Sequence, residues 1–300
     1  MSDATVEVVV GAQEGHAESP HWDAASARLW WVNIVGERVH CLDPDSGDVD
    51  SWETAGQPGG VILDATGEPV VASPEGLAVL DRGTGRLDLR VPIEQDRPEN
   101  RANDVKVDDR GRAWVGTMAY DKRPRNAALY RVDGRGVTRV VEGLTISNGP
   151  AFDPARGRLY LADTALCVVD VFDLDPAMGA LSGRRRFLDL TDEQIWPDGM
   201  TVDDEGGLWV ALGRAAAVRR YSARGTLDGA IGLPTSNPTS VAFGGRDGGE
   251  LYITTSWVDC EQRADEPLAG AIFRCRPGVT GRPSPRCECL PHRAEKAVAT

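Results

Sequence analysis

The sequence predicts an all-β protein, a six-bladed β-propeller built from four-stranded antiparallel blades. Three observations carry that prediction. One phrase recurs six times along the 300 residues, its recurrences are spaced like propeller blades, and no stretch of a dozen residues shows the periodicity of an amphipathic helix.

The phrase is a short apolar strand, an Asp, a turn containing Gly, and a second apolar strand. Its copies are SPHWDAASARLWWVN from Ser19, GVILDATGEPVVAS from Gly60, DVKVDDRGRAWVGT from Asp104, GPAFDPARGRLYLADT from Gly149, GMTVDDEGGLWVAL from Gly199 and SVAFGGRDGGELYITT from Ser240. The register residues are Asp23, Asp64, Asp108, Asp153, Asp203 and Gly244, so the steps run 41, 44, 45, 50 and 41 residues. A period near that length is one blade. Two further strand-like runs follow each copy, such as VVDVFDLD from Val168 with RRFLDL from Arg185, or AVRRYSA from Ala217 with GTLDGAIGL from Gly225. These bring each unit to four strands. The run VEVVV at Val6–Val10 precedes the first copy and is expected to supply the outer strand of the last blade, closing the ring and removing exposed edges. Residues 1–275 are thus expected to form one propeller. Residues 276–300, rich in Pro, Arg and Cys without alternation, are expected to be a poorly ordered tail.

Composition narrows the function classes. With 41% hydrophobic and 26% charged residues the chain suits a soluble globular protein, and all-β closed folds reach this length as one unit. A net charge of -13, from 46 acidic against 33 basic residues, disfavours nucleic acid and anionic membranes as partners. No apolar run is long enough to span a bilayer, and MSDATVEVVVGAQEG lacks a basic segment ahead of its short apolar stretch, so a cytoplasmic location is expected. A monomer or weak homo-oligomer fits this reading. The six cysteines are scattered and read as reduced thiols; Cys287, Cys289 and His292 crowd together, but a zinc site would need a fourth ligand.

In a propeller the innermost strands start at the central channel, so equivalent residues just before them converge on one axis. Counting five residues back from each register residue gives Glu18, Gly59, Asn103, Asn148, Asp198 and Thr239. Four of these are Glu, Asp or Asn, ahead of apolar strands. Singly, each suits a turn former; together they suit a ring of oxygen donors around one divalent cation, which would relieve the repulsion of confined carboxylates. Oxygen donors favour Ca²⁺, Mg²⁺ or Mn²⁺, and affinity order also admits Zn²⁺ or Fe²⁺. The prediction is therefore a propeller with a central metal site. Neither a His-based zinc hydrolase nor a serine hydrolase fits: His16, His21, His40 and His292 show no HExxH spacing, and Ser147 lies in ISNGP rather than GxSxG. His16, just before Glu18, is a candidate for substrate contact. Trp22, Trp30, Trp31, Trp114 and Trp209 lie in repeat strands and are expected in the core.

The segments Glu18-Ser-Pro-His-Trp-Asp23, Arg101-Ala-Asn-Asp104, Gly116-Thr-Met118, Ser147-Asn-Gly-Pro150 and Pro197-Asp-Gly-Met200 resemble, in order, the signatures of the senescence marker protein/regucalcin and gluconolactonase family of six-bladed propellers. The resemblance implies that Glu18, Asn148 and Asp198 bind one divalent metal and that Arg101 and Asn103 contact a sugar substrate. Asp121 stands at the place of a further acidic substrate contact, with a shorter side chain than the Glu of a family member. The expected activity is metal-dependent opening of a sugar lactone, an aldonolactone, to the aldonic acid. The cation would act as Lewis acid and Asp198 as general base. The alternatives are a non-catalytic calcium-binding or scaffold propeller, or a related metal-dependent esterase or phosphotriesterase.

Overall fold

A computed structural model describes residues 5–12, 15–258, 260 and 263–290. Six four-stranded antiparallel sheets follow one another along the chain and pack around a central axis, as a β-propeller. Their inner strands are Ala17–Asp23, Gly60–Leu63, Asn100–Val107, Ser147–Asp153, Trp196–Val202 and Pro238–Gly244, which we number as blades 1 to 6. The first five blades are each a meander of four consecutive strands. The sixth takes its outer strand, Glu7–Val10, from the N-terminus, where it pairs with Ile272–Cys275. Arg274 reinforces that closure through ion pairs to Glu7 and Glu250.

The repeated Asp is turn chemistry. Asp108 accepts backbone N–H bonds from Arg110 and Arg112, and Asp203 accepts them from Glu205 and Gly207. Each thereby closes the hairpin between its blade's first two strands. The same carboxylates receive the indole N–H of Trp114 and Trp209, both at 2.8 Å. The turn and the largest side chain of the following strand are fixed together. Trp31, Trp114 and Trp209 are fully buried between blades, and Trp22 and Trp30 nearly so.

Of the expected tail, residues 291–300 lie outside the described residues, whereas residues 276–290 are ordered against the propeller. Residues 276–290 form a strap across the face opposite the channel mouth, where the inner strands end. Thr280 and Gly281 bond Asp204 and Gly248 of blades 5 and 6, Arg286 pairs with Asp23 of blade 1, and Cys287 and Glu288 bond Leu63 and Gly111 of blades 2 and 3. Gly281 is required there, because a Cβ would come within 2.2 Å of the Phe243 ring. Pro283 and Pro285 wall a cavity of about 140 Å³ at that end of the channel, which His21 and Lys106 also line. The strap needs no alternation of its own because the hairpin turns of the blades satisfy its backbone. Among the described residues no helix is long and apolar enough to cross a membrane.

Candidate active site

Five of the six inner strands break ladder register where the sequence places its ring residues. The shifts fall between Glu18 and His21, Ala102 and Asp104, Asn148 and Ala151, Pro197 and Met200, and Pro238 and Ser240. A bulge re-aims side chains, and here Glu18, Asn103, Asn148, Asp198 and Thr239 all line one cavity of about 360 Å³ at the channel mouth. Blade 2 pairs without a shift. Its ring position, Gly59, brings backbone rather than a donor, and a Cβ there would meet the Ala102 carbonyl oxygen at 2.4 Å.

The amides are oriented by a directional chain of hydrogen bonds. Arg101 Nη1 donates to Asn103 Oδ1 (3.1 Å) and to the Ala102 carbonyl (2.8 Å). Asn103 Nδ2 donates to Asn148 Oδ1 (2.8 Å) and the Ser147 carbonyl (3.1 Å). Asn148 Nδ2 donates to Thr164 Oγ1 (2.7 Å), whose hydroxyl donates to the carbonyl of Pro197 (2.6 Å), the residue before Asp198. Because Thr164 occupies the Asn148 nitrogen, its oxygen is the atom turned to Asn103, and one lone pair of that oxygen is left for another partner. Thr239 is spent otherwise: its hydroxyl donates to the Ala17 carbonyl (2.6 Å), tying blade 6 to blade 1.

Three carboxylates meet below this chain. Glu18 is buried; its Oε2 accepts the backbone N–H of Ser19, while its Oε1 meets no donor group among the described residues, and the carboxyl lies within hydrogen-bond reach of Asp198. Burial first, then the charges of Asp198 and Asp104, hold the Glu18 carboxyl well above the usual range. Asp198 keeps some surface toward the cavity, yet the enclosing protein and the Asp104 charge raise it in the same way. Asp104 is fully buried and pushed up to about 6 by burial, against the opposing effect of Lys106. Arg101 is lowered to about 10 by its own burial and stays cationic at neutral pH. Asp104 was not among the residues expected from the sequence, although a signal for it exists. The residues one step past the ring positions are Ser19, Gly60, Asp104, Gly149, Gly199 and Ser240, and only one of them carries charge.

The cavity also draws on residues outside the ring positions that the repeat register selects: Lys122, Thr164, Trp196, Asn237 and Ser256 line it. Arg214 stacks over the Trp196 ring at 3.6 Å. His16 lines the cavity as well, with Nδ1 3.2 Å from Ser256 Oγ. Asp121 does not. It is exposed in the turn after the strand Ala113–Ala119, and its carboxylate is drawn outward by Arg123 at 2.8 Å, so it is Lys122 that lines the cavity. Of the residues expected to contact substrate, Arg101 and Asn103 line the cavity and Asp121 stands beside it in the same turn as Lys122.

No group of three His, Cys, Asp or Glu among the described residues is arranged to hold a metal. A cation here depends on the amide oxygen of Asn148. The chemistry of the donors fits one: a buried carboxylate oxygen on Glu18 that meets no donor group among the described residues, a second raised carboxyl on Asp198, and an amide oxygen whose nitrogen is already committed. The C-terminal zinc reading does not gain support: Cys287 and Cys289 come together without a third ligand among the described residues, and His292 lies outside them.

A closed ring of six blades whose mouth opens into a largely apolar cavity set with Glu18, Arg101, Asn103, Asn148 and Asp198 defines a propeller that handles a small molecule at its mouth. The chain belongs to the SMP-30/Gluconolactonase/LRE-like family, whose model matches residues 16–257. It is 36% identical to a pentonolactonase of Haloferax volcanii over 300 residues, covering 95% of this chain and 98% of that protein. It is 33% identical to regucalcin of Danio rerio, covering 94% and 98%. Among solved structures, a calcium-binding protein, regucalcin, from Agrobacterium tumefaciens superposes with a TM-score of 0.89 at 28% identity, covering 95% of this chain and 98% of that one.

Proposed function

We propose that this protein is a gluconolactonase-like hydrolase that opens a sugar lactone to its aldonic acid, with one divalent cation held by Glu18, Asn148 and Asp198. The observation that carries the reading is the buried Glu18 carboxyl at the cavity, whose Oε1 meets no donor group among the described residues, set against a second carboxyl, Asp198, that burial and charge also keep raised. Two such groups are stable together only if protonated or if a cation neutralises them. When bound, that cation supplies Lewis-acid stabilisation of the charge that develops on the lactone carbonyl oxygen.

The remaining work falls to the chain's own side chains. Asp198, which keeps surface toward the cavity, takes the proton of the attacking water at a carboxylate oxygen. Arg101 is fixed through Nη1 and retains further N–H groups to orient ring hydroxyls. Asn103 holds both Arg101 and the Asn148 oxygen, and so sets the distance between substrate and carboxylates. Trp196, Met118 and Val258 cover the less polar faces of the cavity and displace water from it. Relatives named as pentonolactonase and as 6-deoxy-6-sulfogluconolactonase support lactones as the substrate class.

The test is a panel of aldonolactones followed by acid release, with chelated protein before and after addition of each divalent ion. Metal-dependent opening of at least one lactone, lost in Glu18→Ala and partly regained at high metal, is the expected result. No rise above spontaneous hydrolysis with any lactone and any ion would instead favour a cation-binding propeller without catalysis.

A further inference from the structure

The lactone site uses none of the cysteines, yet two of them are brought together on the strap. Cys287 and Cys289 are two residues apart in extended chain, so their side chains leave on the same side. The Cys287 N–H donates to the Leu63 carbonyl of blade 2 at 2.7 Å, and the Glu288 N–H donates to the Gly111 carbonyl of blade 3 at 2.9 Å. The strap is thus pinned to both blades, and both thiols point into the seam between them. Cys287 is buried in the core there with Ile62, Val105 and Ala113, and Cys289 packs half-buried against the same cluster. Their sulfurs lie 3.1 Å apart. That is about 1 Å beyond a disulfide bond of roughly 2.05 Å.

We infer that Cys287 and Cys289 form a dithiol site on the face opposite the lactone cavity, which a low-molecular-weight disulfide converts to an internal disulfide. The Cys289 thiolate attacks one sulfur of the small disulfide and expels one small thiolate, which takes up the proton Cys289 lost. Cys287 then loses its proton and attacks the Cys289 sulfur of the mixed disulfide, forming the Cys287–Cys289 bond and expelling the second small thiol. Two protein thiols are oxidised by two electrons, and one small disulfide is reduced to two thiols.

The order of attack follows from the surroundings. Cys289 is the less buried of the two residues, and the Cys287 S–H it accepts holds it below the usual cysteine range, with the Ala113 N–H adding to the effect. Cys287 is buried and pushed above that range, first by its bond to Cys289 and then by burial. A thiolate within reach of solvent attacks first, and a sheltered neighbour resolves. Cys41, Cys167 and Cys275 are buried, and Cys260 sits near the mouth against Ser236 and Asn237, so no other pair competes.

The experiment equilibrates the full chain with excess glutathione disulfide, then denatures it, counts free thiols and maps the peptides. The six thiols should fall to four, with the peptide carrying both Cys287 and Cys289 lighter by two hydrogens and restored by reductant. C287S should instead trap a stable glutathione adduct on Cys289, while C289S should remain unmodified because Cys287 is sheltered. Retention of all six thiols, a lasting adduct on Cys289 in the unmutated chain, or a disulfide mapped elsewhere would overturn the inference. The mapping needs no variant, so a failure of either substitution to fold does not affect it.

Discussion

Asp104 is the sharpest point at which to test the electrostatics of the cavity floor. Its folded-state value is pushed from an ordinary 3.8 to about 6, by burial above all, and its charge raises both Glu18 and Asp198. A carboxyl raised on folding stabilises the native state fully below its unfolded value and loses that contribution as pH rises through its folded value. In metal-free protein the Asp104 contribution is therefore lost between about pH 4 and pH 6. A shift of about two units corresponds to roughly 3 kcal/mol. Asp104→Asn keeps an oxygen for the Val105 N–H bond of 2.7 Å while removing the charge. The chelated variant should be more stable than the chelated wild type at pH 8 by up to about 3 kcal/mol, roughly 4–8 °C in Tm, and nearly equal to it at pH 4. Thermal or urea unfolding at both pH values with chelator present measures this. Saturating metal should shrink or reverse the advantage, because the wild-type carboxylate then faces positive charge. An Asp104→Asn protein no more stable than wild type at pH 8 without metal would refute the account of Asp104 as a carboxylate whose burial destabilises the metal-free fold.

Three further outcomes follow from the same geometry. Asn103→Ala removes two neutral hydrogen bonds and one from a buried guanidinium; kcat/KM for the best lactone should fall by about 2–4 kcal/mol, roughly 30- to 900-fold, and metal affinity should weaken as Asn148 loses its restraint. Asp121→Ala removes an exposed carboxylate that pairs with Arg123 and is not among the cavity-lining residues, and should leave kcat/KM within about twofold of wild type; a tenfold loss would place Asp121 in the site. Truncation after Gly278 uncovers the seam that Cys287 fills and five blades' turn contacts, so unfolding should shift globally in a single transition. An unchanged Tm would show that the strap only rests on the propeller.

How much of this was legible in the sequence depended on repetition. The blades could be read because each hairpin turn needs the same local chemistry, an Asp accepting the next N–H groups, and that need recurs six times with one replacement at Gly244. Glu18, Asn103, Asn148 and Asp198 could be read because they occupy one position of that register. Asp104 escaped because its charge is unique to one blade, and a search for equivalence does not select a position whose other occupants are Ser and Gly. The turn that carries Asp121 was less legible, because in irregular chain no register says which of Asp121 and Lys122 turns to the cavity; Lys122 lines it and Asp121 pairs with Arg123.

The sequence by itself determined the parts of this protein that are local and periodic: the strand pattern, the turn carboxylates, and the spacing that carries polar residues to the axis. Only the tertiary structure decided what those residues meet. The bulges that aim the ring inward, the orientation of the Asn148 amide through Thr164, the gathering of three carboxylates from blades 1, 3 and 5, and the docking of the strap each depend on contacts between different elements of the chain. Such contacts leave no trace in local propensity, because the free energy that fixes them comes from burial and from hydrogen bonds to partners that the chain brings close only once the ring has closed.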